Sequence, residues 1–112
     1  MDYKIVIVPP GGGEADFTQD VKGAEFVPRA GEYVVIAVDS NEEETRGVEA
    51  YLVRYPVTNL TRKDWGDAGI FGTTVEVEPV RHPYQSKRHG KMCERYDGHW
   101  GHPTKDYPES GY

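Results

Sequence analysis

The side chains with the most chemical capacity lie between His89 and His102. His89-x3-Cys93-x5-His99-x2-His102 gathers one thiol and three imidazoles within 14 residues. Zinc takes four such nitrogen and sulfur ligands in a tetrahedron, and it can fold a segment that has no apolar core. The spacing lacks the CxxC pair of the familiar zinc fingers. The competing reading is a His-rich polar extension without a cofactor, and zinc stands as its alternative.

The same stretch carries Arg81, Lys87, Arg88, Lys91 and Arg95, with Tyr84, Tyr96 and Trp100 between them. Cations on phosphates and rings on bases are how single strands are gripped. Cations of this kind also pair with carboxylates of their own chain. For a protein partner, the candidate contacts are Tyr84, Arg88, Arg95, Tyr96 and Trp100, joined by Trp65 from an earlier loop, because exposed aromatic and Arg side chains dominate interfaces.

Catalytic signals are sparse. Cys93 beside a histidine could form a nucleophile and base, but catalysis needs a rigid support, and the surrounding residues read as flexible. HExxH, GxSxG and HxE…PCxxC are absent. Asp64, Asp67 and Glu76 are acids among many. Glu42-Glu43-Glu44 lacks the spaced ligands of a calcium loop and reads as a solvated charge run. A non-catalytic protein is expected.

These groups need elements to hold them, and composition divides the chain near Val80. Hydrophobic residues make up 37% of the whole, below the usual globular share. Residues 81–112 contain no Val, Ile, Leu or Phe. Residues 1–80 carry 15 acidic against 7 basic side chains, a net of −8, whereas residues 81–112 carry 4 against 6, a net of +2. A β domain over 1–80 and a His/Tyr-rich extension over 81–112 are expected. An acidic domain is a poor ligand for a phosphate backbone or an anionic membrane.

Tyr33 to Val38 is uncharged, apolar or aromatic, and largely β-branched, which predicts a strand covered on both faces. Lys4 to Val8 predicts another, ended by Pro9-Pro10 and followed by Gly11-Gly12-Gly13. That glycine run lacks the GxxxxGK[ST] spacing of a phosphate loop. Val48 to Val57 alternates; Pro56 within it points to an edge or a bulge. Thr73 to Val80 also alternates, which puts Val75 and Val77 inward and Thr74, Glu76 and Glu78 in water. Glu14 to Gly23 is polar, and within it Asp16, Thr18 and Asp20 with Phe17 and Val21 fit a short strand or an irregular excursion. Short strands with turn signals and no helix of ten or more residues predict an all-β, antiparallel, curled barrel with a mostly irregular C-terminal arm. Aromatic-rich arms of this kind gain order by lying on a folded surface. A lone cysteine allows no internal disulfide.

Phe26-Val27-Pro28-Arg29-Ala30-Gly31-Glu32-Tyr33-Val34 resembles a recurring opening, (F/L)-x-P-R-x-G-(D/E)-x-V, of short uncharacterised bacterial and phage proteins with an SH3-like barrel. The resemblance covers these nine residues and the later strand spacing, and it stops before the arm. It implies an SH3-like barrel from a bacterial or phage-infected cytoplasm, and it implies no catalytic residues. The N-terminus has no basic region, and its apolar run is too short for a signal peptide or membrane span, which also predicts a cytoplasmic protein. The function expected is an accessory or inhibitory protein that covers a surface of another protein. The alternatives are an assembly role, with the arm contacting a neighbouring subunit, and a zinc-stabilised nucleic-acid-binding module.

Overall fold

The computed structural model describes residues 2–12, 16–60, 72–99 and 103–108, with the side chains of 55–60, 72, 98 and 99 left out. The described chain is mostly β. Five strands form one sheet curled into a half-barrel: β1 Tyr3–Ile7, β2 Phe17–Val21, β3 Tyr33–Val38, β4 Gly47–Leu60 and β5 Gly72–Val80. Their order is β2-β1-β5-β4-β3. One helix, α1 Lys87–His99, follows. No helix among the described residues is long and apolar enough to cross a membrane.

Each strand forms where β-branched residues recur. The core is the concave row of Tyr3, Ile5 and Ile7, Val34, Tyr51 and Val53, and Val75 and Val77. The alternation read for β4 and β5 sets this row directly, because successive residues face opposite sides.

Four expectations are corrected. The sheet is mixed, not purely antiparallel: β1 runs parallel to β5, with Ile5 opposite Val75 and Ile7 opposite Val77. β3 has the expected span but lies at an edge, paired with β4 alone among the described residues, and Val35 is 43% exposed. Its unbroken apolar run contains no alternation, so composition alone could not distinguish one covered face from two. Thr74 and Glu78 on β5 are buried rather than solvated. Glu78 is shielded because Arg54 Nη1 donates to it at 3.0 Å, the Gly11 N–H at 3.2 Å, and Lys105 Nζ lies 3.3 Å away. Finally, the arm expected to be mostly irregular contains the thirteen-residue α1.

Pro56 behaves as read. β3 pairs with β4 only over 47–52, and the β4–β5 register shifts between Val53 and Tyr55. The proline therefore sits beyond β3, just after a bulge, where its missing N–H costs no ladder bond on that flank.

α1 exists because Met, Cys, Tyr and His supply the apolar face that Val, Ile, Leu and Phe do not. His89, Met92, Cys93 and Tyr96 recur at i, i+3, i+4 and i+7, one helical stripe. His89, Cys93 and Tyr96 are buried to 1%, 0% and 1% exposure. Ser86 caps the start, its Oγ accepting the His89 N–H at 3.1 Å. Positive charge near a helix N-terminus is unfavourable, and the first turns hold Lys87, Arg88 and Lys91. The Glu42–Glu44 turn offsets it. Lys87 Nζ donates to Glu43 at 2.6 Å, Lys91 Nζ to Glu44 at 2.5 Å, and the Arg88 N–H to the Glu44 carbonyl at 3.0 Å.

Candidate functional site: a groove between the helix and the sheet

α1 lies against β4 and β5 and leaves an opening between itself and β2. The opening is a groove of about 500 Å3. Its floor is Ile7, Tyr51 and Met92. One wall is the edge strand β2, through Phe17, Thr18 and Gln19. The other is α1, through Arg88, Lys91 and Arg95 at i, i+3 and i+7. These spacings place three cations along one side of the helix.

The polar end of the groove is tightly arranged. Glu49 is 3% exposed, and a buried carboxylate needs partners. The Tyr51 hydroxyl donates to Glu49 Oε2 at 3.0 Å, and Arg88 Nη2 donates to Oε1 at 3.0 Å. Burial, the Glu49 charge and its hydrogen bond all push the Tyr51 phenol well above its usual range. Tyr51 therefore stays a neutral donor. At the open end, Arg95 lies over the Phe17 ring, its guanidinium carbon 5.8 Å from the centroid, a cation–π distance. Among the described residues, Arg95 has no carboxylate partner. Phe17 remains 44% exposed.

The residues singled out from the sequence are distributed unevenly about this groove. Arg88 and Arg95 line it. Tyr96 is interior: its hydroxyl donates to Asp16 Oδ2 at 2.7 Å, which ties α1 to the segment before β2. Its ring is not available to a partner. Tyr84 is 77% exposed in the turn before α1 and does not line the groove. Trp65 and Trp100 lie outside the described residues.

His89 and Cys93, from the proposed zinc set, do share one face of α1, as a four-residue spacing requires. That face points inward. His89 Nε2 meets the Val80 carbonyl at 2.9 Å, and its ring stands edge-on to Tyr51 at 5.3 Å. Burial lowers the His89 pKa, against smaller raising effects from the Val80 carbonyl and Glu49. Burial pushes the Cys93 thiol up to about 11, although Arg81 pulls the other way. A thiol so placed is neither a nucleophile nor a ready thiolate ligand at neutral pH. The side chain of His99 and all of His102 lie outside the described residues. Among the described residues, no three His, Cys, Asp or Glu side chains cluster to hold a metal ion.

The basic strip is largely engaged within the chain. Lys87, Arg88 and Lys91 pair with Glu43, Glu49 and Glu44, and Arg81 pairs with Asp97. Asp97 also accepts the Thr104 N–H at 2.6 Å and the Thr104 hydroxyl at 3.0 Å. Burial raises the Asp97 pKa, but the Thr104 and Arg81 hydrogen bonds outweigh it and hold the carboxyl below its usual range. This network pins residues 103–108 beside Arg81, whose N–H donates to the Lys105 carbonyl at 2.8 Å. Tyr107 then packs edge-on against Tyr33 at 5.2 Å.

Phe17 and Met92 were not among the candidates read from the sequence, and Lys91 was read only as part of the basic strip, not as a partner contact. The signal for two of them was available: the cationic spacing of 88, 91 and 95 beside the apolar spacing of 89, 92, 93 and 96 is an amphipathic helix. Phe17 gave no such signal, because its role depends on β2 being an edge. No family model matches the chain, and no curated protein or solved structure is similar to it.

Proposed function

We propose that the chain is a non-catalytic protein-binding protein, acting as an accessory or inhibitory factor that covers part of a partner through the α1–β2 groove. The observation that carries this reading is an open groove with an apolar floor, an exposed aromatic residue and a row of cations. Interface hot spots are built from such side chains, with an apolar centre and a charged rim. The neutral, buried Cys93 argues against nucleophilic chemistry in the helix. The docking of residues 103–108 on Arg81 of the same chain favours this reading over an arm that reaches a neighbouring subunit. The pairing of four of the five strip cations with carboxylates disfavours a nucleic-acid grip.

The test is affinity capture from a bacterial lysate in parallel with the wild-type chain and a Phe17→Asp/Arg95→Glu variant, followed by direct binding of any purified partner. A protein bound in near-equal amount by the wild type and lost with the variant supports the reading. No such partner, or one retained by the variant, contradicts it.

A further inference from the structure

We infer that the segment of the partner received by the groove is extended and acidic, with one aliphatic or aromatic side chain flanked by carboxylates. This inference rests on the groove being a protein-contact surface and adds the chemistry of what enters it.

Charge is the first observation. The chain carries a net −6, yet the α1 wall gathers Arg88, Lys91 and Arg95. Arg88 and Lys91 are partly compensated by Glu49 and Glu44. Among the described residues, Arg95 has no carboxylate partner and lies over the face of Phe17. A guanidinium stacked on a ring keeps its in-plane N–H donors free, and their best acceptor is a carboxylate held side-on. A basic segment would meet the uncompensated charge of Arg95, and like charges there act as rejection.

The floor is the second. Ile7 and Tyr51 are rigid members of the core, whereas Met92 is an unbranched thioether that can repack around an incoming group. A volume of about 500 Å3 falls within the roughly 300–1,000 Å3 of sites that enclose a compact apolar group. It is too small for a folded domain surface to enter except by a protruding side chain.

The third is the β2 edge. β2 pairs with β1 alone among the described residues. Its outer edge offers main-chain donors and acceptors to an added strand, the commonest way an extended segment is held. A segment lying along β2 projects alternate side chains toward Phe17 and the α1 cations.

The experiment pans a display library of random peptides against the full-length chain and measures binding of a synthetic peptide from the enriched set. The inference predicts enrichment of sequences with Asp or Glu beside Leu, Ile, Phe or Tyr. It also predicts that Arg95→Glu weakens the synthetic peptide by about tenfold or more, the scale of losing one charge-assisted hydrogen bond, with Arg95→Lys weakening it less. Phe17 and Arg95 are both exposed, and an unchanged melting temperature verifies that each variant is folded. Enrichment of neutral or basic sequences, binding that survives Arg95→Glu, or no enrichment at all overturns the inference. If non-acidic peptides bind and are lost with Phe17→Asp, the groove still binds protein and only the acidic chemistry fails. If no peptide and no protein binds the groove, the protein-binding reading fails with it.

Discussion

His89 and Glu78 show how single buried polar groups set the behaviour of this molecule. His89 is neutral in the folded chain because burial disfavours its charged form. Its folded pKa therefore lies below the ordinary imidazole value of about 6.5, and the unfolded chain takes up that proton first. Stability from this group is intact above about pH 6.5 and falls as pH drops below it, by at most about 1.4 kcal/mol per pH unit. Melting temperature measured from pH 7.5 down to pH 5.5 is expected to decline, and His89→Gln is expected to flatten that decline. Glu78 is a carboxylate at 1% exposure held by hydrogen bonds and a nearby cation. Among the described residues, Arg54→Met leaves it with the Gly11 N–H and the more distant Lys105. The expected cost is about 3 kcal/mol, at the low end for breaking a buried pair because Lys105 remains. Urea unfolding reads this as a lower midpoint with an unchanged slope.

At the scale of elements, the contact between the start of β4 and the start of α1 positions the groove wall. Gly47 has φ +134°, and a Cβ built there would lie 2.8 Å from the Ser86 nitrogen and 3.0 Å from the Tyr84 carbonyl oxygen. The Val48 N–H donates to the Tyr84 carbonyl at 2.9 Å, and the Ser86 N–H to the Val48 carbonyl at 3.0 Å. Gly47→Ala must push back the segment that carries the helix cap. It is expected to cost about 1–3 kcal/mol from backbone strain alone, read by thermal denaturation, with binding weakened in parallel because Arg88 and Lys91 move. The strands of this chain were legible where alternation was clean: Val75 and Val77 declared their face, and Pro56, which pointed to an edge or a bulge, follows a register shift. β3 was legible in span but not in place, since an apolar run says nothing of which neighbour is missing. α1 was hidden because Gly90 and Gly98 lower helix propensity and its buried stripe is made of His, Met, Cys and Tyr. Arg88 and Arg95, singled out by residue type as partner contacts, line the groove. Phe17 became a groove residue only through the sheet order, which no local pattern encodes.

For the whole molecule, the composition break at Val80 is real, but it does not separate a folded part from an unfolded one. Beyond it, Ser86, His89, Cys93 and Tyr96 are all buried, and Thr104 and Tyr107 fasten the following segment to Arg81 and Tyr33. The acidic front and basic rear are joined by ion pairs such as Lys87–Glu43, Lys91–Glu44 and Arg88–Glu49. Exposed pairs contribute little singly; burial of the α1 stripe carries most of the docking. The groove exists only while that helix is seated, because its wall of cations and Met92 come from α1. Native-state hydrogen exchange of the full-length chain tests this most directly. The amides of residues 90–96 are expected to be protected to within about tenfold of those in β4 and β5. Helix amides that exchange at the rate of an unstructured peptide, while the strands stay protected, would contradict the docked helix and remove the groove with it.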